Sequence, residues 1–199
     1  AADSQDKQSW PQPTDLLPRE GVLEVFHDLQ SFGFEATEKQ QQAWQVRWVQ
    51  PDRSGFAEPP QDLDLPHEFC QVALPMHSFS TKSLADHLDL QEPHFTDYER
   101  MEQEIQESWT LQRGLNPNPP VPFSHIYGHS QRGYLGVKDY LQEFLPLEEP
   151  DQYVLVLDLE SWTHLEGWFG DVGNLEVWMR ESDLRAQDFG KAWCFIRTD

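Results

Sequence analysis

The sequence predicts a mainly β (α+β) fold of roll-like antiparallel sheets built from an internal duplication, with one or two helices. The first observation is a six-residue phrase that occurs twice, as GVLEVF at 21–26 and GNLEVW at 173–178. The second is that each copy is followed by Ala-Trp and an apolar run that ends in Arg. The third is that most other apolar stretches alternate with the two-residue period of strands. The 199 residues are enough for one sizeable domain.

Each copy of the repeat predicts two antiparallel strands led by a glycine, with Gly33 in the polar connection of the first pair. Trp44 and Trp193 occupy matching places, so both are expected to fill the core. The stretch YVLVLDL at 153–159 is the most hydrophobic and is expected to be a central strand. A turn is predicted at 168–171 and a short helical turn at 182–187. Strands are predicted over 22–26, 43–49, 69–74, 153–159, 175–179 and 191–197.

One long helix is predicted over 97–112. Thr96 and Glu99 have the spacing of a capping box at its start. Tyr98, Met101 and Ile105 then recur at three- and four-residue steps, as the apolar face of a helix does. A weaker helical pattern covers 81–88.

Proline-rich stretches suggest how the chain is divided. Residues 1–18 carry three prolines and predict an extended arm, which leaves 19–199 as a single domain. The run GLNPNPPVP at 114–122 is a hard break, and it is the expected seam if this domain has two lobes. Cys70 and Cys194 are too few for a disulfide framework, and we expect them reduced and buried, although they could pair.

The charge is strongly negative, with 35 acidic against 14 basic residues and a net charge of -21. Such a surface repels nucleic acid and anionic lipid, so neither is an expected partner. It attracts a basic protein, and the alternative is a surface that serves solubility alone. No apolar run reaches the roughly 20 residues of a membrane span, and no signal peptide is present. We therefore expect a cytoplasmic monomer or weak oligomer.

The acidic residues suggest a protein-binding platform, with aromatic side chains as anchors. Four of them surround a Leu-Pro-Leu loop, and others lie on the predicted helix. The alternative for each cluster is solvation of an outer face. The candidate binding residues are Glu143, Glu148, Glu149, Asp151, Glu102 and Trp109.

A rival hypothesis is a hydrolase or metal-dependent enzyme that uses His125, His129 and Asp171, with His164 as a further member. The two histidines are four residues apart, as paired ligands on a helix are. However, Tyr127, Gly128 and the upstream prolines disfavour a helix there. Asp171, between two glycines, is expected to hold a tight turn by bonding backbone N–H groups. No catalytic residue, metal or cofactor is therefore predicted.

Two stretches resemble the YwqG-like family, a bacterial domain of unknown function. Residues 167–189 match its Gly-Asp-x-Gly turn and the strand, acidic pair and Asp-Leu that follow. Residues 17–49 match its Leu-Pro-x-x-Gly block. Two departures from the family pattern occur. His125 and Gly128 are kept, but His129, Ser130 and Gln131 replace the second Gly, the aromatic residue and the Pro that usually follow. Val172 replaces a common cysteine. The motif positions present here are Gly21, Trp44, His125, Gly128, Gly170, Asp171, Gly173 and Trp193.

The resemblance implies a duplicated β roll and no established catalytic residues. Relatives occur near bacterial polymorphic toxins, and some resemble immunity proteins. It thus favours a non-enzymatic protein that neutralises a toxin, which the negative charge suggests is basic. A block that usually precedes the Leu-Pro phrase is missing, so a scaffold module of a larger protein is a further alternative.

Overall fold

Two antiparallel sheets and four helices make up the described part of the protein. The structure is a computed structural model and describes residues 16–18, 20–50, 95–112, 124–161 and 167–198. The predicted mainly β (α+β) class is confirmed. Several sequence predictions lie outside these ranges, namely most of the N-terminal arm, the strand at 69–74, the helix at 81–88, the seam at 114–122, Cys70 and His164.

The first copy of the repeat forms a two-stranded sheet. Strand β1 (Val22–His27) pairs antiparallel with β2 (Trp44–Val49), as predicted. A short helix, α1 (Ala36–Gln40), lies between them and was not predicted. A capping box between Glu35 and Glu38 holds its first turn, because each side chain bonds the other residue's backbone N–H.

The second copy contributes two strands of a three-stranded sheet. Its order is β3 (Tyr153–Glu160), β4 (Asn174–Arg180) and β5 (Trp193–Arg197), all antiparallel. Among the described strands β4 lies at the centre of this sheet, so β3 is not its central strand there. The hydrophobicity of the sequence did not identify β4 as the buried strand, because the residues buried in β4, which are all except Arg180, include polar ones. On its other side β3 forms only an isolated bridge with His125 among the described residues.

Both copies share the order strand, short helix, strand. Between β4 and β5 lie helix α4 (Glu181–Arg185) and a 3-10 turn (Phe189–Lys191). The predicted helical turn at 182–187 thus forms about one residue early. This shared order supports the duplication read from the sequence.

Two longer helices complete the described part. Helix α2 (Phe95–Gln112) includes the predicted span 97–112 and begins two residues before it. Helix α3 (Leu135–Phe144) was not predicted. It buries Val137 and Leu141, which are four residues apart and lie on one face.

The two sheets meet at the paired tryptophans. Trp44 and Trp193 are each only 4% exposed, and their ring centroids lie 5.0 Å apart in an edge-to-face arrangement. Each indole also donates a hydrogen bond to the other half, from Trp44 to the Ala192 carbonyl at 3.2 Å and from Trp193 to the Gly33 carbonyl at 2.8 Å. Trp44 and Trp193 are therefore buried in mutual contact, as their matching places predict.

The two copies nevertheless differ in register by one residue. Glu24 lies opposite Arg47, three residues after Trp44, whereas Glu176 lies opposite Phe195, two residues after Trp193. The second run, AWCFIR, is one residue longer than AWQVR. A one-residue slip turns a strand's side chains to the opposite face. Glu24 therefore faces away from Trp44, whereas Glu176 shares the face of Trp193.

Candidate functional site

The first candidate site is the acidic segment, residues 143–151, which follows the C-terminal end of α3. Glu143 lies in the last turn of α3, and Glu148 and Glu149 follow it; all three are exposed. None of the three side chains makes a hydrogen bond or ion pair with the residues that the structure describes. Arg180 attracts Glu148 electrostatically without a direct ion pair. A helix C-terminus carries a partial negative charge, to which these carboxylates add. The segment is thus a negative surface without direct ion pairs at its three glutamates.

Asp151 belongs to the same segment but has a structural role. Its carboxylate accepts hydrogen bonds from the Ser182 backbone N–H at 3.1 Å and from the Ser182 hydroxyl at 2.5 Å. Burial alone would raise its pKa, but the bonds from Ser182 and Gln152 lower it instead. Asp151 therefore anchors the first turn of α4 and is less available to a partner than the three glutamates.

Exposed apolar side chains accompany the acidic segment. Leu147, between Pro146 and Glu148, is 37% exposed, and Tyr140 on α3 is 38% exposed. Apolar and aromatic groups of this kind serve as anchors in protein interfaces.

The other two predicted binding residues lie on α2. Glu102 is half-buried, and no hydrogen bond or ion pair of the described residues joins it to the acidic segment. The Trp109 side chain lies outside what the structure describes. The structure thus brings together Glu143, Glu148, Glu149 and Asp151.

A second cluster of acidic side chains is buried in the three-stranded sheet. Asp158 on β3 lies directly opposite Glu176 on β4, and both are 0% exposed. Burial raises the pKa of both carboxyl groups, and for Glu176 the nearby Asp158 acts in the same direction. Two adjacent carboxylates without water would be strongly unfavourable unless donors surround them.

Glu176 receives donors from three elements. The Ser130 hydroxyl donates to it at 2.5 Å, the Trp178 indole N–H at 2.8 Å and the Arg197 guanidinium at 3.2 Å. Arg197 also donates to the carbonyls of Arg132 and Gly133. The ion pair therefore fastens the segment before α3 onto the sheet.

Asp158 fastens the same segment from the neighbouring strand. Its carboxylate accepts bonds from the Gln131 backbone N–H at 3.0 Å and the Asn174 amide at 2.5 Å. Its backbone exchanges two bonds with His125, at 2.8 and 2.9 Å. Because these carboxylates are buried and bonded, the cluster fits a structural role and offers no surface to a substrate.

Glu176 and Arg197 form a buried structural ion pair that was not identified from the sequence. The available signal was a glutamate inside an apolar strand, in the phrase NLEVW, with an arginine closing the next strand. Asp158 carried the same signal within YVLVLDL. A charged residue in such a strand is rarely buried unless it is paired.

The described residues of the enzyme hypothesis do not form a metal-binding group. The His125 ring N–H donates to the backbone carbonyl of His129 at 3.0 Å. Asp171 is exposed and forms no hydrogen bond with the described residues, contrary to the predicted turn bond. Within the described ranges, no three His, Cys, Asp or Glu side chains are placed to hold a metal ion.

Steric constraints in the turn explain the glycine motif around Asp171. A side chain on Gly173 would place its first carbon 1.7 Å from the Phe169 carbonyl oxygen, so only glycine fits there. Gly170 donates its N–H to the Gly167 carbonyl at 2.9 Å and closes the turn, which forms where predicted. The motif positions Gly21, Gly128 and Gly170 all have positive φ, which favours glycine.

Cys194 is buried and forms no disulfide with any residue the structure describes. Burial raises the pKa of its thiol, which keeps it protonated and unreactive. No helix among the described residues has the length and apolar character needed to span a bilayer.

Comparison with known proteins identifies the chain at the level of its family. The model of a family described as a domain of unknown function, DUF1963, matches residues 6–197. A search of curated proteins finds no match.

Proposed function

The chain belongs to the DUF1963 family of unknown function, and we propose that it is a non-enzymatic module that binds a basic protein through the acidic segment. In the most specific form of this proposal, it is an immunity protein that occludes a bacterial toxin in the cytoplasm. The YwqG-like resemblance of its motifs motivates the toxin, and the acidic segment supports the basic character of the partner.

The observation that carries the proposal is that Glu143, Glu148 and Glu149 form no direct ion pair with the described residues. Like charges beside a helix C-terminus destabilise the free protein. A cationic partner removes this repulsion, so part of the cost is recovered only in the complex. The net charge of -21 adds a long-range attraction that speeds the encounter.

Leu147 and Tyr140 supply the apolar contacts that charged residues alone do not provide. Rim charges mainly affect association rates, whereas buried apolar anchors hold a complex together. With an exposed leucine inside the acidic segment and an exposed tyrosine on the adjoining helix, the surface has both parts of a protein interface.

The test is calorimetry and stopped-flow binding with the protein encoded by the adjacent gene. We expect tight binding whose association rate falls by about tenfold or more between about 20 mM and about 150 mM salt. Substitution of Glu143, Glu148 and Glu149 by Gln should reduce the association rate about tenfold and flatten its salt dependence.

A matched control changes the net charge by the same amount elsewhere. Glu20, Glu99 and Glu104 are exposed and make no side-chain bond to the described residues, so their replacement by Gln should leave binding nearly unchanged. Equal losses in both triple variants would reduce the proposal to nonspecific charge attraction. Absence of binding at low salt would refute it.

The rival enzyme hypothesis has its own readout. A stoichiometric transition metal in the purified protein, or turnover that disappears in His125→Gln and His129→Gln, would replace the binding proposal.

A further inference from the structure

A groove of opposite character is lined in part by the apolar residues Phe144, Leu145 and Pro146 of the acidic segment. It has a volume of about 300 Å³ and lies between α1, the residues that follow α3 and the 3-10 turn. We call it the basic groove, because it contains three cationic side chains and none of its lining residues is acidic. Its lining residues are Lys39, Phe144, Leu145, Pro146, Arg180, Gly190, Lys191 and Trp193.

The three cations of the groove differ in how closely carboxylates approach them. Arg180 and Lys191 both bind Asp183, and Lys191 also contacts Asp188 at 3.2 Å. Asp151 and Glu148 also attract Arg180 electrostatically. Lys39 forms no ion pair with a carboxylate among the described residues. Lys39 is therefore the cation of the groove with the most room for an added anion.

Lys39 is held in place by neutral groups. Its ammonium donates to the carbonyls of Gly190 at 2.9 Å and Ala192 at 2.7 Å, and it lies 5.5 Å from the centroid of the Trp44 ring. Burial lowers the pKa of the Lys39 ammonium, although the nearby Asp188 acts in the opposite direction. An ammonium has three donors, so one N–H remains for a ligand.

Arg180 has donors left as well. Its Nε donates to Asp183 at 2.5 Å and its Nη1 to the Pro146 carbonyl at 3.1 Å. No acceptor among the described residues bonds its Nη2. A carboxylate in the groove would therefore meet charged donors from two different elements.

Apolar and aromatic groups supply another part of the groove lining. The rings of Phe144 and Trp193 stack with centroids 4.4 Å apart and an interplanar angle of 23°. Leu145 and Pro146 extend this apolar surface. A ligand with an apolar body and one anionic group matches both parts of the groove.

We propose that the basic groove binds a small apolar monocarboxylate, with the carboxylate on Lys39 and Arg180 and the apolar body on Phe144 and Trp193. Lys39, which has no carboxylate in direct contact, favours one anionic group, and a second negative charge on the ligand would meet the acidic segment and the net charge of -21. The volume is at the lower end of the roughly 300–1,000 Å³ of ligand pockets, which suits a single-ring compound. The proposal is independent of the toxin-binding function.

The test uses phenylpropionate, with phenylpropanol as its neutral analogue, in ligand-observed NMR and calorimetry on the whole chain. We expect phenylpropionate to bind at least about tenfold more tightly than the alcohol, because the charge-assisted bonds are lost in the alcohol. Equal affinity for the two compounds, or no binding of phenylpropionate at millimolar concentration, would overturn the proposal.

Charge-removing variants locate the site. Lys39→Gln keeps a donor for the backbone carbonyls and should weaken phenylpropionate binding about tenfold. Lys191→Gln, at a more exposed position, provides a second variant if Lys39→Gln does not fold, and it should weaken binding in the same direction. Lys138→Gln, on α3 but outside the groove lining, is the matched control and should bind as the parent does. Unchanged affinity in both groove variants would refute the assignment.

Discussion

Arg197 binds Glu176 between neighbouring strands at 3.2 Å, in a setting where the glutamate is 0% and the arginine side chain 11% exposed. The first copy of the repeat forms the equivalent pair between Glu24 and Arg47, where the side chains are 31% and 49% exposed. The same two residue types are thus paired twice, once inside the protein and once at its surface. The difference in burial follows from the one-residue difference in register.

The two pairs should contribute unequally to stability. Arg197→Met leaves Glu176 buried without its cation, so we expect the free energy of unfolding to fall by about 3–5 kcal/mol. Arg47→Met removes the exposed pair and should cost at most about 1 kcal/mol. Urea denaturation of both variants measures the difference. Similar losses would contradict the burial assigned to the inner pair.

Stability should depend on pH through Asp158. Its pKa is raised in the folded state, so the folded protein holds this proton more tightly than the unfolded chain. Stability from this group is therefore lost as the pH rises above the ordinary carboxylate pKa of about 4 toward the raised value. In Asp158→Asn this loss is absent. The free energy of unfolding of the variant should therefore rise relative to that of the parent as pH increases.

Asp151 provides a control of opposite sign. Its pKa is lowered, so it stabilises the folded state above a pH of about 4, and this contribution is lost as the pH falls through the lowered value. The free energy of unfolding of Asp151→Asn should therefore fall relative to that of the parent as pH increases in the acid range. Chemical denaturation across the pH range checks both variants. A pH-independent difference for Asp158→Asn would exclude the raised pKa.

The connection between β1 and α1 should be intolerant of a side chain at Gly33. A methyl group there would lie 1.9 Å from the Cys194 carbonyl oxygen, and φ is +83°. We expect Gly33→Ala to cost about 3 kcal/mol, from overpacking and positive φ together. Gly167→Ala has a similar φ of +79° but only an ordinary contact at 3.5 Å, so it should cost about 1 kcal/mol. Comparing the thermal unfolding of the two variants distinguishes the cost of steric overlap from the cost of a positive φ.

Trp44 and Trp193 should be energetically coupled. A double-mutant cycle with Trp44→Leu and Trp193→Leu is expected to give a coupling free energy of about 0.5–1.5 kcal/mol for the edge-to-face pair. Trp44→Leu combined with Tyr153→Leu should be additive within about 0.5 kcal/mol, as for residues not in contact. A coupling of zero in the first cycle would mean that the two halves fold without this contact.

The sequence predicted the repeated strands well because their alternation and their tryptophans are local signals. All five predicted strands that fall within the described ranges are present. It did not predict α3, whose first residue follows Tyr134 with no side-chain cap and whose second is Gly136. Its stability comes from Val137 and Leu141 packing against the rest of the chain, which is tertiary information.

The candidate sites likewise include one feature that the sequence predicts and others that it does not. The glutamates of the acidic segment were visible as a local excess of charge. The basic groove was not, because Lys39, Arg180 and Lys191 come from distant parts of the chain and meet only in the folded protein. The buried pair of Asp158 and Glu176 likewise depends on the pairing of β3 with β4, which joins residues that are far apart in the sequence.

The extra residue in the second tryptophan run has a consequence for assembly. If the first strand pair of one molecule took the place of the second pair in another, Glu24 would point away from the tryptophan face and Arg47 would miss the Ser130 segment. The duplicated halves are therefore not interchangeable parts. An exchange of unlike halves between two molecules would therefore lose the buried pair and its bonds to the Ser130 segment.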